Sequence, residues 1–421
     1  MTATEYDEAA AILARRPLPP QDLAARVNGV TVTLSWLPPA PNGGAPPANY
    51  LVGIFSASGA VRQWREIDGD RDSYTTPPLP PGPTAFHVVA KNAAGASTPA
   101  VVNQTVLKPL LAGLIDTSGS AAAHYPIGAV TAKLAWKDLE PVQGTLNPAV
   151  LERAVARSGG LPLLVRLMCG TSSPDWAMQI GGGPVLVGDP QDVAAAPCPR
   201  FWLSEFQDAV AAFYLLIGAL LEPMAQVPVV TISGAMTVYA EPFRRGGGTM
   251  NAAALDAAGY SVPFDLAAET RAANAALAAF SSTRLSWALN PFDVQGEQAP
   301  SWADTLSQVS FIRGLFGPRV VLENNSIRWP RVGGQYTPMY DYIAGADSNP
   351  TGGPPCQFQT ATLARIGADP DPRGGLLATL ADAAAMKACA VELPPDYEGV
   401  VAPADLDSAA TLLVANAQAT Q

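Results

Sequence analysis

Histidine is almost missing from this chain: His87 and His124 are the whole supply in 421 residues. Two imidazoles cannot build a histidine-rich metal site, and no H-E-x-x-H motif is present. Cysteine is nearly as sparse. Cys169, Cys198, Cys356 and Cys389 are scattered, with no C-x-x-C pair and no histidine beside them. That excludes a disulfide framework and gives structural zinc no support, while a single Cys169–Cys198 bridge stays open. Charge is scarce at 14% of residues, and acid exceeds base, 36 Asp+Glu against 25 Lys+Arg, for a net −11. Such a balance offers nucleic acid no global attraction, because that binding leans on phosphate neutralisation by Lys and Arg. No long apolar run occurs either. The longest, Ala209–Leu221, is bounded by Asp208 and Glu222 and falls short of the ~20 residues a membrane span needs, so a buried helix is expected and no membrane insertion. The first residues, MTATEYDEAAAILARRPLPP, are acidic where a secretory signal requires basic residues, so no signal peptide is expected.

What is abundant is material for a core: 48% of residues are hydrophobic, and 37 Gly and 41 Pro supply turns without a collagen period. Residues 1–20 form an N-terminal segment in which 5–16 read as a short helix stopped by Pro17. From 21 to 107 the texture is short alternating runs, VTVTLSW, NYLVGIFS and AFHVVAKN, separated by Pro/Gly turns, as in an all-β antiparallel sandwich. From 110 to 421 apolar runs alternate with Ala/Leu-rich helical stretches. Eight runs qualify as strands: 110–116, 129–136, 161–168, 227–234, 283–290, 319–324, 356–362 and 389–394. That count is what an α/β (β/α)8 TIM-like barrel requires. The rival, an open doubly wound sheet, loses ground because no G-x-G-x-x-G follows the first run and no P-loop appears.

The sandwich residues carry a resemblance. Trp36 in VTLSWLPP, Tyr50 in ANYLVGIF, and Leu79, Pro81, Gly82, Thr84 and Phe86 ahead of Val88, Ala90, Asn92 and Gly95 resemble a fibronectin type III domain. The resemblance implies that Trp36 packs between two sheets and that Leu79 and an aromatic anchor one corner. The usual corner tyrosine is here Phe86, so its hydroxyl bond is absent. Such modules serve mostly as spacers or adhesion platforms, and a spacer is the expectation here.

In a barrel the site lies beyond the strand C-terminal ends. After the second run comes Trp136-Lys137-Asp138-Leu139-Glu140-Pro141, and after the fourth comes Tyr239-Ala240-Glu241-Pro242. These segments look like parts of retaining glycoside hydrolases. The resemblance implies that Glu241 is the general acid/base of a two-carboxylate cleavage. The partner that related barrels place after strand seven has no counterpart in CQFQTAT. Glu323, Glu392 and Asp293 are the candidates instead, and Glu323 would take the role if the strand count were one out. Each has a structural alternative: Glu241 pairing with Arg244 or Arg245, Glu323 pairing with Arg328 or Arg331, and Glu392 bonding loop amides. Glu140 reads as structural. Trp136, Trp176, Trp202, Tyr239, Trp287 and Trp329 could stack on sugars, with Arg244 in a glycine-rich loop beside them. No metal or cofactor is expected.

The chain as a whole, TVYAEPFRR and the sandwich above all, resembles minor tail proteins of actinobacterial bacteriophages. The resemblance implies a virion tail-tip protein, released to the extracellular medium by lysis, whose barrel binds host-envelope polysaccharide and hydrolyses it if a second carboxylate is competent. Other tail proteins would be its partners, and homo-oligomeric assembly in the tip stays open. The alternatives are a secreted or cellular retaining glycoside hydrolase and a non-catalytic tail adaptor.

Overall fold

The computed structural model describes residues 15–56, 58–119, 124–189, 193–234, 241–242, 248–291, 301–366 and 371–420; the helix expected at 5–16 lies almost wholly outside them. The chain divides into two compact units, Met1–Pro109 and Leu110–Gln421.

In the first unit, side chains alternate in and out most clearly along β1 and β2. Eight strands form two antiparallel sheets: β1 (Gln21–Asn28), β2 (Thr31–Leu37), β3 (Asn49–Ser56), β4 (Val61–Asp68), β5 (Ser73–Thr75), β6 (Gly82–Asn92), β7 (Gly95–Ala96) and β8 (Ala100–Val106). One sheet runs β1-β2-β5, the other β4-β3-β6-β7 with β8 also on β6. Along TVTLSWL the apolar Val32, Leu34 and Trp36 are buried while Ser35 faces solvent, the period of two that a half-buried strand requires. Between the sheets, Trp36 meets Tyr50 edge-on with ring centroids 5.2 Å apart. Phe86 and Leu79 are buried in the same cluster. A fully buried side chain of this size contributes about 1.5–3 kcal/mol over an exposed one.

In the second unit, eight parallel strands close on themselves: β9 (Gly113–Asp116), β10 (Ile127–Ala135), β11 (Leu163–Met168), β14 (Val229–Thr231), β15 (Arg284–Ala288), β16 (Val320–Ile327), β17 (Cys356–Thr360) and β18 (Ala390–Glu392). Each lies within or overlaps one of the eight apolar runs. A strand buried on both faces reads as a continuous apolar stretch, which explains why the runs were visible. A hairpin, β12 (Val185–Asp189) with β13 (Val193–Cys198), is inserted after β11. Among the described residues no helix stands between β9 and β10; the later strands are followed by α1 (Pro148–Arg157), α2 (Ser204–Leu221, after the hairpin), α3 (Gly248–Ala257) and α4 (Val262–Ala279), α5 (Trp302–Phe316), α6 (Tyr336–Ala344), α7 (Pro372–Ala385) and α8 (Pro403–Thr420). Pro148, Pro263 and Pro372 stand in helical first turns, where their missing N–H costs nothing.

The apolar run at 209–221 is part of α2, whose Phe206, Val210, Phe213, Tyr214, Ile217 and Leu221 are buried in the main core. The α2 helix packs closely on alanine-rich α4: a Cβ on Gly218 would lie 2.8 Å from the Ala279 Cβ. Past the end of α2, the Glu222 carboxylate accepts five hydrogen bonds, from Ser281 Oγ, from the N–H and hydroxyl of Ser282, and from the N–H and hydroxyl of Thr283. That ties the helix end to the start of β15. The four cysteines are buried and form no disulfide, so the bridge left open between Cys169 and Cys198 is absent.

Candidate binding site in the barrel

Period-two alternation sorts the barrel residues. Leu164 on β11 clusters with Ile115, Ala129, Val229 and Ala390 from other strands, inside the barrel. Leu163, Val165 and Leu167 join the large cluster shared with the helices. Arg166, two residues after Leu164, therefore points inward, and its neighbours in register are Lys133 on β10 and Thr231 on β14.

Arg166 is fully buried, and so are Glu323 and Glu392. Its Nη2 donates to Glu323 Oε1 and, at 2.8 Å, to Glu392 Oε2, while its Nε reaches Glu392 Oε2 at 3.2 Å. Nη1 donates to Asn325 Oδ1 at 3.2 Å. The second oxygen of Glu323 accepts from Ser286 Oγ and from Gln357 Nε2 at 2.9 Å, and Ser286 Oγ is 2.8 Å from Thr231 Oγ1. The second oxygen of Glu392 accepts from Thr117 Oγ1 at 2.7 Å. Six further strands or their ends thus join β11 in one polar layer around one guanidinium. Burial by itself would raise the Glu392 carboxyl and lower Arg166. The opposite charges outweigh it, holding Glu392 below the usual carboxylate range and Arg166 above the usual guanidinium range.

Next to this layer, at the C-terminal ends of β9 and β18, opens a cavity of about 540 Å³ lined by Asp116, Thr117, Ser118, Lys133, Pro394 and Tyr397 among others. Asp116 is buried and fixed: it accepts from Tyr397 OH at 2.8 Å, from Ser118 N at 2.6 Å and from Ser118 Oγ at 2.5 Å. Burial and Asp116 together push the Tyr397 phenol well up. Lys133 is exposed to solvent. Its charge also helps hold Glu392 ionised. Asp396 and Glu398 also line it, so the cavity offers an ammonium, three carboxylates and hydroxyl groups, a set that can fix a polyol by hydrogen bonds.

The sequence-predicted residues fall into different places. Glu323 and Glu392 are brought together, but on Arg166 rather than on Arg328, Arg331 or loop amides, and neither is exposed. In this arrangement both carboxylates are committed to the guanidinium, and the second oxygen of each accepts from a neighbouring side chain. The strand count stands, with Glu323 on the sixth strand, and the seventh carries Gln357 and Gln359 instead of a carboxylate. Glu241 is buried after the fourth strand, and its carbonyl accepts from Ser233 Oγ at 3.0 Å. Tyr239, Arg244, Arg245 and Asp293 lie outside the described residues.

Three of the tryptophans expected to stack on sugars, Trp136, Trp202 and Trp287, are buried. Trp136 is fully buried, stacked on Phe213 at 5.0 Å with Trp176 and Phe206 edge-on, so it presents no face to a sugar. Its Nε1 donates to Glu140 Oε2 at 2.7 Å, and Glu140 Oε1 accepts from Gly144 N at 2.6 Å. The W-x-D-L-E-P-x-x-G segment is therefore a closed structural clasp. Trp202 packs on Phe201 and Tyr260, and Trp287 is buried in the core. Trp176 is half-buried, its Nε1 donating to the Glu140 carbonyl at 3.2 Å. Of the five described tryptophans expected to stack on sugars, Trp329 alone is strongly exposed, at 45%.

Sequence reading missed Arg166, Lys133, Asp116, Thr117, Ser286 and Gln357. A signal was present: each of LLAGLID, AVTAKLAW and LPLLVRLM has a lone charge in an apolar run. On a strand buried on both faces, such a charge must face a partner inside the barrel.

No family model matches the chain, and no curated protein matches it. Similar solved structures include the twitchin kinase region from C. elegans, 26% identical with a TM-score of 0.20, covering 22% of this chain and 17% of that one. The FN3 domain of human collagen XX is 19% identical with a TM-score of 0.19, covering 21% of this chain and 90% of that one. Solution structures of the fn3 domain of the human collagen alpha-1(XX) chain are 28% identical with a TM-score of 0.18, covering 21% and 83%. The chain thus spans less than a fifth of the twitchin region's length.

Proposed function

We propose that this chain is a bacteriophage tail-tip protein whose barrel mouth binds host-envelope glycan without cutting it. The barrel is read as a (β/α)8 TIM-like domain and the sandwich as a fibronectin type III-like spacer ahead of it. The tail setting rests on the sequence resemblance of TVYAEPFRR and the sandwich. The observation that carries binding over cleavage is the clamp: Arg166 holds both Glu323 and Glu392, beside an open cavity with Lys133 and Asp116 in its wall. Glycosidic cleavage needs two carboxyl groups flanking the scissile bond, one to protonate it and one to attack or activate water. Two of the three candidate carboxylates are already neutralised. The cavity's own carboxylates, Asp116, Asp396 and Glu398, stand in a wall that we read as holding sugar hydroxyls and leaving the linkage intact.

The test is reducing-end release and pull-down binding on purified actinobacterial cell-wall polysaccharide, with Glu241→Gln and Lys133→Ala alongside. Expected are retained binding with no sugar release, and binding about tenfold weaker in Lys133→Ala, the loss of one charge-assisted hydrogen bond. Release that disappears in Glu241→Gln would overturn the reading in favour of a hydrolase. Neither release nor binding would leave a structural tail adaptor. Mass spectrometry of purified virions tests the tail assignment separately.

A further inference from the structure

The sandwich carries a second set of groups on its outer face. Tyr50, Val52 and Ile54 of β3 fill the sandwich core. Gly53 and Phe55 alternate with them and so point outward. Trp64 on β4 is the cross-strand partner of Gly53, and its ring sits over that glycine: a Cβ on residue 53 would lie 2.7 Å from two atoms of the indole. Any larger residue at 53 would lift the ring. Trp64 is nevertheless 48% exposed, so half of a large aromatic surface stays in solvent on a rigid sheet. Phe55 continues the strip, edge-on to Trp64 at 5.5 Å and tilted on His87 at 4.3 Å. The strip ends in a concave site of about 680 Å³, lined by Phe55, His87, Asn103, Gln104 and Thr105 among others, with no Lys, Arg, Asp or Glu in its wall.

We propose that this face is a binding site for an uncharged glycan, separate from the barrel and independent of what the barrel does. Three features fit that ligand together. An exposed indole offers a flat apolar surface to the C–H face of a pyranose. Amide and hydroxyl side chains in the concave site at the Phe55 end of the strip both donate and accept, as sugar hydroxyls require. A wall without formal charge neither pairs with nor repels, so it complements a neutral ligand and leaves the counter-charge of a uronate or a phosphate without a partner. A second copy of the chain fits less well, because two sheets pack through flat apolar faces and this one is hollow and polar beside the aromatic strip.

The experiment is affinity electrophoresis of the full chain through gels containing dextran, mannan or arabinogalactan, with polygalacturonate as the charged control. Lys133→Ala is the background in every lane, so that retention by the barrel cavity is weakened. At least one neutral polysaccharide should retard the chain, Trp64→Ala should weaken that retardation at least about tenfold, and Asn103→Ala should weaken it less. Trp64 lies outside the sandwich core and Asn103 is exposed, so thermal melting should hardly move. Equal retardation of Trp64→Ala and its parent would overturn the proposal, as would no retardation in any neutral gel or stronger retention by polygalacturonate. A concentration-dependent dimer lost in Trp64→Ala would assign the face to a second copy instead.

Discussion

Arg166 is the one charge in the run Leu161–Met168, and two carboxylates depend on it. Removing the cation leaves Glu323 and Glu392 buried with no counter-charge, a change that typically costs about 3–5 kcal/mol. Arg166→Met is therefore expected to lower stability by that order in urea unfolding, far beyond the loss of its packing, and a shift under about 1 kcal/mol would contradict the clamp. The pH dependence follows from the depressed Glu392. A carboxyl whose folded value lies below its unfolded value near 4.5 contributes stability that is fully present above that pH and is lost as pH falls through the folded value. Glu222, held down by its five donors against burial, acts in the same direction. Acid unfolding of the parent should therefore steepen below about pH 4.5, and Arg166→Met should remove part of that slope when stability is followed by circular dichroism from pH 7 to 3.

At the scale of elements, the α2–α4 contact is set by the absence of a side chain. Gly218 lets α2 approach until its missing Cβ would touch both the Cβ and the carbonyl oxygen of Ala279, each 2.8 Å away. Gly218→Ala would improve helix propensity by about 1 kcal/mol in an exposed helix. Here overpacking opposes it, at about 1–3 kcal/mol, because the obstacle is backbone as well as a methyl. The variant should melt lower than the parent, and a higher melting temperature would show that the helices slide apart freely. This contact was not legible in the sequence, whereas the elements that make it were. All eight barrel strands announced themselves as apolar runs, since both faces of each are covered. The sandwich strands showed through their alternation. The site was less legible, because composition cannot tell an inward carboxylate that awaits a ligand from one that meets a guanidinium on another strand. Glu323 and Arg166 are separated by 157 positions, and only closure of the barrel brings them together. The hairpin β12–β13 was hidden for the same reason, whereas Glu140, read as structural, does close a clasp on Trp136 and Gly144.

At the scale of the whole molecule, the apolar clusters divide as the two units do. The sandwich core draws only on residues between Val32 and Val106, with flanking contributions from Leu23 onward. Among the described residues, the three clusters of the second unit begin at Leu110. Units that share no core residue have separate sources of stability, so each should unfold as its own cooperative transition. Scanning calorimetry of the full chain should then show two transitions. Trp36→Ala, which empties the space beside Tyr50 at a cost of about 3–5 kcal/mol, should move one and leave the other in place. Arg166→Met should do the converse, moving only the transition that Trp36→Ala spares. This double dissociation does not require knowing in advance which peak belongs to which unit. A single transition shifted by both variants would mean that the units fold as one, and the sandwich would then have to be counted as part of the barrel's support.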